Sequence, residues 1–153
     1  MIAFTNSFAR SLLDLLFRQT SITIDGLSLQ WSATTDNKGF YLGFFTTQPT
    51  PSGAGTEVSS TDTGYSRYRI EVSTDKTMAA AATANDVSTS ANAAALTIKA
   101  AATVAGMGTV THWGLFDAST TGNLLIYGSL TNPVTVGADD TFVVAAGDLQ
   151  ISF

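Results

Sequence analysis

The stretch GTVTHWGLFDASTTGNLLIYGSL, Gly108–Leu130, decides the fold class. In its first part Thr109, Thr111, Trp113 and Leu115 alternate with Val110, His112, Gly114 and Phe116, the period of a strand. Asp117 to Asn123 is a polar, glycine-containing break, and Leu124 to Leu130 is apolar again, so a strand, a hairpin loop and a returning strand are expected. Outward from this block the pattern recurs. TFVVAA and DLQISF follow it, set apart by Asn132-Pro133, Gly137 to Asp140 and Gly147-Asp148; YRIEVST and ALTIKA precede it. FYLGFFTT, from Phe40, is almost continuously apolar, the composition of a strand buried on both sides. SITIDGLSLQW alternates around Asp25-Gly26, a dipeptide suited to the positive φ angles of a tight hairpin.

The N-terminus reads differently. In NSFARSLLDLLFR, Phe8, Leu12, Leu15 and Leu16 recur at helical spacing, Ala9, Leu13 and Phe17 widen the apolar face, and Ser7, Ser11, Asp14 and Arg18 gather opposite, with Asn6 placed to cap the helix. Gln48 to Arg67, rich in Gly, Ser and Thr, is expected to be a long loop, and Asp75 to Ala95 a loop or irregular strand. Short strands in close succession with no helices between them favour an all-β fold, an antiparallel β-sandwich or jelly roll with a short N-terminal α-helix. The expected division is a helix or arm over residues 1–20 and a single β-sandwich domain over residues 21–153.

Composition narrows the function. The 153 residues contain no cysteine, which removes disulfides, thiol nucleophiles and thiolate metal sites. Charged residues make up 12% of the chain, against roughly a quarter in an ordinary soluble domain, while 24 Thr and 15 Ser supply an uncharged hydroxyl surface. Seven basic against twelve acidic residues, with no Lys/Arg cluster, argue against a nucleic-acid partner. No apolar run approaches the roughly 18 residues of a membrane span, so no membrane partner is expected. The opening segment lacks a basic start and is interrupted by Arg10, so it is expected to be a retained helix rather than a signal peptide.

Catalytic chemistry finds little to work with. His112 is the sole histidine, so any Ser-His-Asp mechanism rests on it, and its mid-strand position beside Val110 and Phe116 favours packing. One histidine without cysteine makes no zinc site, and DNKG and GADDT lack the spaced carboxylates of a calcium loop. PSGAGTE has no Lys-Ser/Thr pair for a phosphate cradle, and a glycosidase pair would have only Glu57 and Glu71 as glutamates. No catalytic, cofactor-binding or metal-ligating residue is assigned. Trp31, Phe40, Tyr41, Phe44, Phe45, Trp113 and Tyr127 alternate as core residues; Tyr65 and Tyr68, beside the Gly/Ser/Thr loop, are the least explained by packing.

Several ordered blocks resemble a tailed-bacteriophage structural family. YLGFFTTQPTPSGAGTEVSSTDTGYSR, from Tyr41, resembles its strand, Thr/Pro turn, GTEV and GYxR segments. The run from Met107 to Phe153 resembles its C-terminal half, with GTVTHxGLFDA, GNLLxYGxL, a P-x-TV turn and AAGxLxxxF; NSFARSLLDLLF resembles its opening helix. The hairpin around Asp25-Gly26 with SATTDNKG is longer than the usual link, and GADDT replaces a plainer GDT turn. The resemblance implies a non-enzymatic β-sandwich protein of the virion, on the outer surface of the capsid or on the tail, made in the host bacterial cytoplasm. Of the roles it covers, a capsid cement or decoration protein binding seams of the major capsid protein is expected first; the alternative is a tail or tail-fibre protein that contacts other tail proteins and binds host glycans. Self-association is expected in either role. The expected contact surfaces are Phe8, Leu12, Leu13, Leu16 and Phe17 on the helix, and Pro49, Pro51, Tyr65 and Tyr68 on and beside the long loop; the competing use of the helix is to cover one end of the sandwich.

Overall fold

The computed structural model describes residues 4–30, 39–51, 55–61, 63–72, 77–99 and 105–153. The chain is all-β with antiparallel sheets and one short N-terminal helix, as its alternation implies. The elements are α1 (Asn6–Arg18), β1 (Ile22–Ile24), β2 (Leu27–Leu29), β3 (Gly39–Phe45), β4 (Tyr68–Glu71), β5 (Ala82–Ala84), β6 (Val87–Ala91), β7 (Leu96–Lys99), β8 (Gly108–Phe116), β9 (Leu124–Val136), β10 (Thr141–Val144) and β11 (Gln150–Ser152). They fall into two compact units, one built from residues 1–39, 71–96 and 144–153, the other from residues 40–70 and 97–143. Trp31 and the polar link over residues 32–38 lie outside the described residues.

In the first unit, α1 packs on the three-stranded sheet β11-β6-β5 and touches β1. Thr5, rather than Asn6, caps the helix: its hydroxyl accepts from the Phe8 N–H, and Asn6 turns its amide to Asp86. The fully buried stripe is Ala9, Leu13 and Phe17, with Phe8, Leu12, Leu15 and Leu16 half-buried beside it. The core stripe is therefore turned from the expected one. The supposed polar side is also engaged, since Asp14 Oδ1 accepts from the Ala81 N–H at 2.8 Å and Arg18 Nη1 donates to the Met78 carbonyl at 3.2 Å.

The sheet under the helix explains both departures. Its central strand buries Ser88, Ser90 and the following Asn92 instead of large aliphatics. Ser88 Oγ donates to the Asn6 carbonyl and Ser90 Oγ to the Ala79 carbonyl, and Asn92 donates to Ala94 and Ala145 while accepting from the Leu149 N–H. Each buried polar group is thereby satisfied. Within the segment expected to be loop or irregular strand, Ala82 to Ala91 is thus a regular hairpin, β5-β6, turned by Asn85 and Asp86 at φ 48° and 62°, while residues 75 and 76 lie outside the described residues. The β1-β2 hairpin forms as expected, with Asp25 and Gly26 at φ 47° and 79°.

The second unit carries the four-stranded sheet β4-β3-β8-β9. Leu42 to Phe45 are all buried, so β3 is covered on both faces, as its composition implied. On one face Phe44 meets Phe142 of β10 edge-on at 4.9 Å, the contact of two stacked sheet layers. On the other face Gly43 and Gly114 stand directly opposite each other. That pair leaves a gap into which Phe45 and Phe116 lean and stack, 5.9 Å apart and 22° from parallel. A Cβ on Gly43 would lie 2.8 Å from Phe116 Cε2, and one on Gly114 would lie 2.9 Å from Phe45 Cε2. Across the next pair, a Cβ on Gly128 would lie 2.9 Å from Trp113 Cζ2, so the indole fills the space over that glycine.

Asn132-Pro133 does not end β9, contrary to expectation. The strand continues to Val136, and the chain absorbs the proline in a bulge: Ser129 pairs with His112 and Val134 with Val110, leaving the residues between opposite Thr111 alone.

Candidate functional site

The most elaborated side-chain constellation in the described residues is centred on Arg67, just before β4. Its Nε and Nη2 donate to Glu57 Oε1 and Oε2, both at 2.8 Å, a bidentate pair. Nη1 donates to the carbonyls of Ala118, at 2.8 Å, and Thr121, at 2.6 Å. The guanidinium also lies flat on the Phe116 ring, with Cζ 3.3 Å from its centroid. Four of the five N–H donors of the guanidinium are thus committed.

Glu57 is brought there by the segment after the Gln48 loop, which runs beside β3: Glu57 forms a bridge with Phe45, and the Val58 N–H donates to the Phe44 carbonyl. Part of the expected long loop is therefore sheet-like. Tyr65 completes the cluster. Its hydroxyl donates to Glu57 Oε1 at 2.9 Å and accepts from the Phe44 N–H at 3.0 Å, and burial, reinforced by the Glu57 charge, raises its pKa above the ordinary phenol value. The phenol stays protonated and bridges the Glu57 segment to β3.

The loop from Asp117 to Asn123 is locked from both sides. Arg67 holds its carbonyls, and Asp117 accepts from the Asn123 N–H and side-chain amide, each at 2.7 Å. These two bonds, the backbone one foremost, lower the Asp117 pKa below the ordinary carboxylate value. Thr121 and Gly122 take φ of 52° and 73° to close the turn. A shallow cleft of about 240 Å³ lies beside the cluster, with Ser60, Ser66, Ser119, Thr120 and Thr121 around Glu57 and Arg67. A second open groove, of about 450 Å³, runs past Tyr68, Arg69 and Thr97.

The candidate interface residues are scattered by this fold. Leu13, Phe17, Pro49 and Tyr65 are buried; Phe8, Leu12, Leu16 and Tyr68 are half-buried; Pro51 is exposed. Tyr65 is a structural phenol with both hydrogen bonds used inside the unit, whereas Tyr68 borders the larger groove. His112 sits on β8 opposite Phe45, and its Nδ1 is 2.8 Å from Thr111 Oγ1. No His, Asp and Glu side chains among the described residues gather in threes as metal ligands would.

Sequence reasoning passed over Arg67 as a centre, yet its signal was present in the quoted blocks. GTEV contains Glu57, GYSR contains Tyr65 and Arg67, and GLFDA contains Phe116, Asp117 and Ala118. These distant blocks meet at one guanidinium. The family model described as podophage GP4 fiber I protein gp80 matches residues 3–152. The chain belongs to this family. Membership makes it a structural component of a tailed-phage virion, the coarse identity that the quoted blocks implied. The family's span takes in the helix, both units and the Arg67 cluster alike. No curated protein matches the chain.

Proposed function

We propose that this chain is a non-enzymatic building element of the phage tail fibre. The observation that carries the reading is the match of a fibre-protein family along nearly the whole chain. The chemistry of the cluster suits a mechanical task. Arg67 joins three separate segments, Glu57, Phe116 and the Asp117 loop, by a bidentate ion pair, a ring stack and two carbonyl contacts. Such cross-links resist local opening because several must fail together.

The capsid-cement role, expected first from the sequence, has weaker support, since the matched family is described as a fibre protein. In the fibre role the partners are other tail proteins and further copies of this chain. The test is quantitative mass spectrometry of purified virions with gold labelling of the chain. Low copy number relative to the major shell protein, with label at the tail, is the expected result. Copy number comparable to the shell protein, with label over the head, would overturn the fibre reading and restore the cement role.

A further inference from the structure

The two clefts beside the Arg67 cluster, of about 240 and 450 Å³, adjoin each other, since Ser66 and Arg67 line both. Their walls carry hydroxyls that the protein does not use. On the paired strands hydroxyls answer one another, Thr23 with Ser28, Thr83 with Ser88, Thr89 with Ser152 and Thr109 with Thr135. Ser60, Ser66 and Ser119, exposed around the smaller cleft, have no hydrogen-bond partner among the described residues.

Between those hydroxyls stands a donor beside an acceptor. The Arg67 side chain is 8% exposed, and its fifth N–H, on Nη2, has no acceptor among the described residues. A planar guanidinium directs that N–H between Glu57 and the loop carrying Ser119 to Thr121, which wall the smaller cleft. Glu57 Oε2, which accepts from Arg67 Nη2, has accepting capacity left. An alcohol satisfies both at once, because a hydroxyl accepts and donates. Charge selects against an anion. Arg67 is matched by Glu57, Arg69 in the larger groove is engaged within the chain, and the net charge is -5, so no unmatched cation awaits a carboxylate or phosphate. Tyr68 adds an aromatic side chain to the larger groove, suited to the C–H face of a sugar ring.

We infer that the adjoining clefts are a binding site for an uncharged oligosaccharide, with one sugar hydroxyl accepting from Arg67 Nη2 and donating to Glu57 Oε2. That the sugar belongs to the host cell surface rests on the fibre role proposed above; the chemistry of the site does not.

The full chain is applied to an array of neutral bacterial-surface oligosaccharides, with uronate-containing and phosphorylated ones beside them. The best-retained glycan is then titrated calorimetrically into the parent, Ser66→Trp, Ser119→Ala and, as a control outside both clefts, Ser129→Trp. All three positions are exposed, and circular dichroism reports whether each variant stays folded. Neutral glycans should be retained. Ser66→Trp, which fills both clefts, should weaken binding more than about tenfold, Ser119→Ala about two- to tenfold, and Ser129→Trp should leave it unchanged. Among singly deoxygenated analogues of the glycan, one should bind more than about tenfold more weakly, since it leaves the Arg67 N–H without its acceptor. No retention of neutral glycans, retention of the anionic ones alone, or binding indifferent to Ser66→Trp would overturn the inference. A chain that binds through these clefts yet is gold-labelled over the head keeps the site and loses the fibre reading.

Discussion

Replacing Arg67 by lysine keeps the charge and removes the shape. An ammonium can stay beside Glu57, but it cannot make the second parallel bond, lie flat on Phe116, and reach both Ala118 and Thr121. The Arg67 side chain is 8% exposed and that of Glu57 26%, so the ion pair is partly shielded and Glu57 can recover some hydration. Losing the second bond is worth about 1 kcal/mol on that basis, and losing a loop carbonyl contact about 1 kcal/mol, because that loop is open to water. Losing the ring stack adds about 0.5–1 kcal/mol. Arg67→Lys should therefore destabilise by roughly 2–3 kcal/mol, or roughly 5–10 °C in Tm for a chain of this length. Differential scanning calorimetry measures it, and hydrogen exchange should show residues 118–121 opening first. A double-mutant cycle of Glu57→Gln with Arg67→Met should return a coupling of about 2 kcal/mol. A lysine variant melting within about 1 °C of the parent, or a coupling below about 0.5 kcal/mol, would refute the assignment of Arg67 as the cross-link.

Two further outcomes follow from the same face of the sheet. Gly43→Ala should cost about 1 kcal/mol net, the push of a new Cβ against Phe116, Glu57 and Tyr65 being partly offset by a stiffer unfolded chain; in chemical denaturation, adding Phe116→Leu should cost less than the two changes separately. Asp117 has a folded pKa below its unfolded value, so its contribution is present above the ordinary carboxylate pKa and is lost as pH falls through that value towards the folded one; denaturant midpoints taken from neutral to strongly acidic pH should fall less steeply for Asp117→Asn, and an identical slope would contradict the role of its bonds to Asn123.

The parts of the fold that were legible in the sequence are those where burial is apolar and the period is clean. β3, β8 and the Asp25-Gly26 hairpin belong here, because alternating or continuous hydrophobicity and a turn dipeptide speak locally. β5 and β6 were not legible, because the residues buried there are Ser88, Ser90 and Asn92, whose suitability for the interior depends on hydrogen-bond partners as distant as Asn6 and Leu149. The helix was legible as a helix but not in its rotation. A face wide enough to include Phe8, Ala9, Leu12, Leu13, Leu16 and Phe17 does not say which line is deepest until the small side chains of β6 choose Ala9, Leu13 and Phe17. β9 was cut short at Pro133 since a missing N–H argues against a strand interior, and only an edge position with a bulge accommodates it. The Arg67 cluster was visible as separate motifs; that Glu57, Tyr65, Phe116 and Asp117 converge is a product of the β3-β8 register and of the segment bridging to Phe45.

The indole of Trp113 lies over Gly128, on the one strand that joins β9 to the rest of its sheet. Its position makes it an optical gauge. If β9 lifts away from β8, the ring loses the glycine backbone beneath it and meets water, and its emission moves to longer wavelength, whereas loosening elsewhere leaves that ring in place. The protein thus carries, in its own colour, a signal for the state of the outermost strand of that sheet.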